Sequence, residues 1–291
     1  MQNFSLHTHT KGFDGQNTEE EMISQAQKLG WETIGFSNHF IVHPKIKKSP
    51  MYAYAEKGGY NNIYSESFDE VIEKFALHYK KIDELKKSVN IRILKGMEVD
   101  FFSDDSWIDG FDKAIKYLKP DYLIGAAHFV EYNDVLFNSH DIKRTPEIEQ
   151  NRLIHRYWQN ERAAVQSGLF TFMAHLDLIK KVGLGIEKNW YEEELKTIAE
   201  IKKSGMIVEL NTSYYKFGDE PYPSKRIVQK LAKESVPVII SDDAHAVKQL
   251  GGNFDRVQSF AEQLGVKNFL TLSDIVKNEN SFHFVPRGWE L

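Results

Sequence analysis

Two histidines separated by one residue stand near the beginning of the chain. His7 and His9 follow a short apolar run at residues 4–6. Side chains at positions i and i+2 of an extended segment point to the same face, so both imidazoles can reach one cation. This spacing predicts a metal-binding pair.

Other residue types that bind metals recur along the chain, close behind further apolar runs. They are His39, Glu98, His128, His175, Asp243 and His245. A single histidine near a strand end is more often structural, so the prediction depends on the recurrence of such residues behind nearly every predicted strand. Because the chain has no cysteine, any metal must be held by imidazole and carboxylate, a ligand set that suits zinc, iron or manganese.

Some of the candidates have a second interpretation. Asp14 lies seven residues after His7 and can fold back toward the other ligands, but Asp followed by Gly is also a common turn. The remaining histidines follow no strand end, and we assign them a structural or surface role. They are His43, His78, His140, His155 and His283.

Alternating elements must position these residues. Seven apolar runs predict buried strands at residues 4–6, 33–36, 91–94, 122–126, 170–173, 207–210 and 236–240. Amphipathic stretches predict helices at residues 18–29, 68–87, 146–167, 190–203 and 224–234. This alternation is typical of parallel βα units, whose carboxyl ends meet at one mouth when the sheet closes. We therefore expect an α/β barrel of TIM-like architecture with a metal site at that mouth.

The chain reads as one domain over residues 1–291. Its length suits a single barrel, and no linker rich in Pro, Gly or Ser divides it. Residues 281–285 could add an eighth strand. Residues 42–66 form a long, aromatic and basic connection, which predicts a lid or substrate loop, with a plain surface excursion as the alternative.

Charge and composition exclude several classes of protein. The formal net charge is −5, which argues against nucleic acid and anionic membranes as partners. No run of 18 apolar residues and no signal-like N-terminus occurs, so we expect a cytoplasmic protein without a membrane span. The composition leaves the oligomeric state open.

Seven sequence blocks, in order, carry a family resemblance. HTHT, FSNHF, GMEVDFF, GAAHF, MAHLDLIKK, ELNTS and SDDAH resemble the PHP (polymerase and histidinol phosphatase) superfamily, specifically its histidinol-phosphate phosphatase branch. The resemblance spans nearly the whole chain. It implies a distorted (β/α)7 barrel that binds two to three divalent ions.

The resemblance also implies which residues share an ion. One ion would take His7, His9, Glu98 and Asp243; a second would share Glu98 and add His128 and His175; a third would take Asp14, His39 and His245. All nine residues are present in the sequence.

The activity that the resemblance implies is hydrolysis of a phosphate monoester, most specifically L-histidinol phosphate, in histidine biosynthesis. Divalent ions activate water and offset charge on the phosphoryl oxygens, so we expect a hydroxide bridging two ions to attack phosphorus. Asp243 and His245 are the candidates for proton transfer. Candidates for contacts to the small phosphate ester are Arg162, Lys180, Lys181 and Ser213, with solvated surface as the alternative for each.

Two departures from the family pattern leave alternatives open. Ser37 and Asn38 stand where the family usually has Thr-Asp, which removes one negative charge beside His39. Residues 214–216 replace a turn that commonly carries a phosphate-contacting Arg in the histidinol phosphatases. The alternatives are a phosphoesterase for another small ester or nucleotide, and a metal-binding module without catalysis.

Overall fold

Seven parallel strands form the centre of the molecule. The computed structural model describes residues 2–184 and 190–275. The barrel strands are β1 (Phe4–Ser5), β2 (Thr33–Phe36), β5 (Arg92–Asp100), β6 (Tyr122–Ala126), β9 (Phe172–Met173), β10 (Ile207–Asn211) and β11 (Val238–Ser241). They pair in that order, and every pair is parallel. The predicted TIM-like barrel is therefore confirmed.

The barrel is nearly closed, and loop residues join its two edge strands. Thr8, after β1, forms an isolated parallel bridge with Ala244, after β11. The amide of His9 donates to the carbonyl of Ala244 at 2.9 Å, and the amide of Ala244 donates to the carbonyl of His7 at 3.2 Å. The segments that carry the first and last metal-binding candidates are thus hydrogen-bonded to each other.

Helices cover the outside of the barrel. They are α1 (Glu19–Lys28), α2 (Pro50–Gly58), α3 (Phe68–Leu85), α4 (Asp105–Leu118), α5 (Ser139–Lys143), α6 (Glu147–Ser167), α7 (Tyr191–Ser204), α8 (Lys225–Lys233), α9 (Phe254–Gln263) and α10 (Leu272–Ile275). Local signals explain their ends. Thr18 and Glu21 form a capping box at the start of α1, and Gly168 ends α6 with φ 67°, a conformation that favours glycine.

Apolar side chains fill two layers of core. One layer lies between strands and helices, and a smaller cluster lies inside the barrel below the mouth. The ring of Tyr122 belongs to the inner cluster, and its hydroxyl donates to the carbonyl of Leu6 at 2.5 Å. A Cβ at Gly96 would stand 2.1 Å from that ring, so glycine is needed there for the ring to fit.

Short elements lie in two of the connections on the mouth side, one of them the predicted long connection at residues 42–66. Residues 42–66 include the end of β3 (His39–Val42), α2, two 3₁₀ turns and β4 (Tyr64–Ser65). A hairpin of β7 (Phe129–Tyr132) and β8 (Val135–Asn138) turns through two residues with positive φ, as type I′ turns require. Residues 281–285, the possible eighth strand, lie outside the described residues.

No helix within residues 2–184 and 190–275 is long and apolar enough to cross a membrane.

Candidate metal centre

The nine predicted ligands converge at the mouth of the barrel. Each lies near the carboxyl end of a barrel strand or in the segment that follows it. His7, His9 and Asp14 follow β1, His39 follows β2 at the start of β3, Glu98 lies in β5, His128 follows β6, His175 follows β9, and Asp243 and His245 follow β11. We call these nine residues the mouth cluster. A role as metal ligands remains a prediction for each.

Glu98 occupies the middle of the mouth cluster and is 1% exposed. Five imidazoles surround its carboxylate: His39 at 2.8 Å, His175 at 2.9 Å, His7 and His128 at 3.4 Å, and His9 at 3.5 Å. One carboxylate with two oxygens cannot satisfy five imidazoles in good geometry. The arrangement is typical of groups that meet at shared cations.

Asp14 and Asp243 hold the outer side of the cluster. Asp14 Oδ2 lies 3.0 Å from His245 Nε2 and 3.1 Å from His39 Nε2. Asp243 Oδ1 lies 3.2 Å from His9 Nε2. For Asp14, the loop therefore folds back toward the mouth, which favours the ligand interpretation over that of a turn residue alone.

Electrostatics keep these carboxylates ionised, the form that binds cations. Burial raises the pKa of Glu98, but His39, His7 and His128 outweigh burial and hold that pKa well below its ordinary value. The pKa values of Asp14 and Asp243 are likewise raised by burial and lowered further by imidazoles, with the same net direction.

Buried atoms without partners test whether this donor set fits metal ions. Within the mouth cluster, the buried side-chain atoms that lack a hydrogen-bond partner are Nε2 of His7, both ring nitrogens of His9, Oδ1 of Asp14, Nδ1 of His39, Oε2 of Glu98, Nδ1 of His128 and Nδ1 of His175. Buried polar atoms are rarely left in this state. Since ligand atoms of the cluster approach within 4.8 Å of one another in groups of three and four, the residues fit divalent cations.

The structure groups these atoms differently from the sets that the resemblance implies. The groups are His9, Asp14, His39 and His245; His7, His9 and Asp243; His7, Glu98 and His175; and His39, Glu98 and His128. Four residues, His7, His9, His39 and Glu98, thus each lie in two groups, at positions where a ligand can reach either of two ions.

Sequence reasoning misses Glu209, which supports the cluster from β10. It is fully buried and accepts a hydrogen bond from His7 Nδ1 at 2.6 Å and from the amide of His175 at 2.9 Å. Such a bond fixes the tautomer of His7 so that Nε2 faces the cluster. Its position within an apolar strand, where a carboxylate is unusual, is the sequence signal that could have found it.

A cavity of about 670 Å³ opens above the cluster, a volume within the range of small-molecule sites. Of the predicted substrate contacts, Lys181 and Ser213 line it. Lys180 does not; its ammonium is buried and donates to Glu220 and to the carbonyl of Pro221. Arg162 is also elsewhere, since it pairs with Glu193 at 2.6 Å.

Basic residues that sequence reasoning did not select also line the cavity. They are Arg144, Lys216 and His140, to which the sequence assigns a structural or surface role. Burial lowers the pKa of His140, as do Lys181 and Arg144. Arg144, Lys181 and Lys216 therefore supply the positive charge of the cavity wall, although they come from separate connections.

A parallel barrel that gathers imidazoles and carboxylates at the carboxyl ends of its strands defines a class of metal-binding α/β barrels. Within that class, residues 5–213 match the model of the PHP domain. This match spans most of the chain, so the chain belongs to the PHP domain family.

Individual proteins are similar to this chain over most of its length. The chain is 24% identical to a probable histidinol-phosphatase of Schizosaccharomyces pombe, covering 90% of this chain and 87% of that protein. It is 23% identical to the histidinol-phosphatase of Saccharomyces cerevisiae, covering 88% and 87%. The histidinol phosphate phosphatase of Lactococcus lactis, crystallised with zinc, L-histidinol and phosphate, has a similar fold (TM-score 0.66, 15% identity, 94% of this chain and 97% of that one).

Proposed function

We propose that this chain is a metal-dependent phosphomonoester hydrolase that converts L-histidinol phosphate and water into L-histidinol and phosphate, a step of histidine biosynthesis. The observation that carries the proposal is the mouth cluster, where unpaired imidazole and carboxylate atoms converge at the floor of a cavity. The names and the shared fold of the relatives support the choice of substrate.

All nine residues of the mouth cluster would hold two to three divalent ions, with zinc, iron and manganese as candidates. Zinc is favoured by its presence in the Lactococcus lactis enzyme. Bound divalent ions supply an activated water nucleophile and offset the charge of the phosphoryl oxygens. Glu98, at the centre, reaches the most imidazoles and would contribute to more than one ion.

Side chains of the cavity wall would orient the phosphate. Lys181 and Lys216 approach each other closely enough that, after burial, Lys216 is the next cause that lowers the pKa of Lys181. A phosphate dianion between them would relieve this repulsion. Ser213 adds a neutral donor, with its hydroxyl 3.4 Å from Asp243 Oδ2.

Asp243 and His245 remain our candidates for proton transfer to the leaving alkoxide, a role that is open only to a side chain that does not itself hold an ion. Both line the cavity, whereas His7 and His9 are fully buried below it. Nδ1 of His245 lies 2.9 Å from the carbonyl of Asp243, so this nitrogen donates and the opposite edge of the ring faces Asp14. The ring is thereby held with Nε2 toward the site.

Steady-state hydrolysis of L-histidinol phosphate tests the proposal, measured against a panel of phosphate esters on metal-reconstituted protein. We expect selective, metal-dependent turnover that is lost in His9→Ala. His155→Ala is the matched control, because His155 is 47% exposed and outside the mouth cluster. Normal turnover by the control excludes a general effect of removing a histidine.

The panel should include esters whose leaving group carries a second negative charge, because His140, Arg144, Lys181 and Lys216 all line the cavity. Turnover of these esters alone would support metal-dependent hydrolysis and show that L-histidinol phosphate is not the substrate. Absence of turnover on every ester would favour a PHP module that binds metal without catalysis.

A further inference from the structure

A second buried polar group lies directly behind the mouth cluster. It consists of Thr10, Glu19, Asn38 and His78, which we call the Glu19–His78 network. The exposed fraction is 0% for Thr10 and Asn38, 3% for Glu19 and 7% for His78. Its members come from the loop after β1, from α1, from the β2–β3 connection and from α3. Four separate elements are thus joined by side chains at one point.

The donor and the acceptor of each hydrogen bond at His78 can be assigned. Asn38 Nδ2 lies 3.1 Å from His78 Nε2 and can only donate, so Nε2 accepts. The proton of His78 is then on Nδ1, which donates to Glu19 Oε1 at 3.0 Å. Lys81 donates to the other oxygen of Glu19 at 2.6 Å. His78 therefore accepts one hydrogen bond and donates one.

The network also fixes the backbone beside Thr10. The amide of Thr10 donates to Asn38 Oδ1 at 2.8 Å. Its hydroxyl donates to Glu19 Oε1 at 3.1 Å and accepts from Asn38 Nδ2 at 3.1 Å. Within the described residues, every buried side-chain nitrogen and oxygen of the network has a partner.

Three residues in or against this network are the sequence neighbours of predicted ligands. Thr10 follows His9, and Asn38 precedes His39. Phe13 precedes Asp14 and packs against the edge of His78, with ring centroids 5.3 Å apart. His9, Asp14 and His39 belong, with His245, to one group of the mouth cluster, which we call the outer group.

We propose that the Glu19–His78 network is a positioning device for the outer group, and that His78 is its central positioning residue. The inference rests on the proposed metal centre. It makes the outer group dependent on a side chain that touches none of its ligand atoms. The group of His7, Glu98 and His175 is held differently, because Glu209 bonds both His7 and the amide of His175.

Zinc titration of the metal-free protein, followed by calorimetry and by metal analysis after dialysis, tests this inference without an activity measurement. In His78→Leu, an apolar side chain fills the space of the imidazole, and both hydrogen bonds of His78 are removed. We expect the most weakly bound zinc ion to bind about tenfold or more less tightly than in the wild type, and the other zinc ions to bind as before. Loss of a residue that supports a metal ligand typically weakens metal binding by about 10–100-fold.

Two further variants separate positioning from stability. In His78→Gln, one amide can donate to Glu19 and accept from Asn38, so we expect the weakest zinc to return. Leu231→Ala opens a cavity in the core on α8, far along the chain from the network, and should destabilise the protein without changing any zinc affinity. If His78→Leu does not fold, Thr10→Val should weaken the same zinc.

The possible failures are distinguishable. Wild-type affinity and stoichiometry in His78→Leu or, if that variant does not fold, in Thr10→Val would overturn the positioning role and leave the metal centre intact. Uniform weakening of all zinc, equal in His78→Gln and His78→Leu, would also overturn it. A wild-type protein that binds no zinc would overturn the metal centre itself, and the inference with it.

Discussion

Two buried polar clusters lie side by side in this barrel and differ in how their atoms are satisfied. In the Glu19–His78 network, donors and acceptors pair with one another and the bonding is complete. In the mouth cluster, several buried nitrogens and oxygens of the described residues face each other without a hydrogen bond. The two clusters share residue types, so composition alone does not distinguish them.

This difference separates a framework from a binding site. A buried polar atom without a partner costs about 1–3 kcal/mol, so a cluster of them destabilises the fold unless something else binds there. A closed network carries no such cost. We therefore expect a bound ion to stabilise the mouth cluster, whereas the network is complete without one.

The largest effect should come from Glu98→Gln. The amide keeps the shape of the side chain but removes the negative charge that five imidazoles surround. Since charge stabilisation at such sites amounts to several kcal/mol, we expect kcat for L-histidinol phosphate to fall by about 10³-fold or more. Steady-state kinetics with saturating metal measure it, and a loss below tenfold would contradict a central role.

Removal of metal should have the next largest effect, on stability. With free zinc at about 100 times its dissociation constant, binding adds about 2.7 kcal/mol to the free energy of unfolding. We expect EDTA to lower the urea midpoint of the wild type and to have a smaller effect on His9→Ala. Equal midpoints with and without EDTA in the wild type would show that the unpaired atoms do not bind ions.

Glu209→Gln should reduce activity by about 10–100-fold, which is typical of residues that orient a metal ligand. Gln can present an amide N–H to His7 in place of a carboxylate oxygen and so disturb the tautomer of the ring. We expect zinc affinity and kcat to fall together. An unchanged kcat, with an intact fold by circular dichroism, would exclude the orienting role.

Asn38→Asp should have the smallest effect, a change in the hydrogen bonding of one imidazole. The aspartate still accepts from the amide of Thr10 but cannot donate to His78, so we expect the hydrogen bond that His78 Nε2 accepts to be lost. The nitrogen-15 chemical shift of Nε2 reports this loss. An unchanged Nε2 shift in the variant would show that the bonding directions assigned to the network are incorrect.

Sequence alone predicted the barrel well, because buried parallel strands appear as short apolar runs and the runs alternate with amphipathic helices. Helix α1 begins behind its capping box, and α6 ends at Gly168, so local residues agree with the amphipathic pattern. The elements inside connections were not predicted. Helix α2 and the β7–β8 hairpin are short, and their positions depend on packing over the mouth rather than on a repeating pattern.

The cavity wall was the harder part of the site. Lys180 and Lys181 are adjacent, yet only Lys181 lines the cavity, because a 3₁₀ turn directs the two side chains to different surroundings. Arg162 extends from α6 to α7, where it pairs with Glu193. Side-chain direction in such places depends on tertiary contacts, which sequence spacing does not contain.

Which of the predicted ligands lie close to one another could not be predicted from the sequence either. Spacing places His7 and His9 on one face of a strand, and the structure adds that His9 also reaches Asp14 and His245. Those contacts arise because the loop after β1 is hydrogen-bonded to the segment after β11, more than two hundred residues away. A sequence pattern cannot report which loops meet.

The most direct test of the account is anomalous diffraction at the zinc edge from crystals of the zinc-loaded protein. We predict two to three strong peaks among the ligand atoms of the mouth cluster, one of them within the outer group and at least one adjoining Glu98. An empty mouth cluster, or zinc bound only elsewhere on the chain, would contradict the proposed metal centre and the hydrolysis that depends on it.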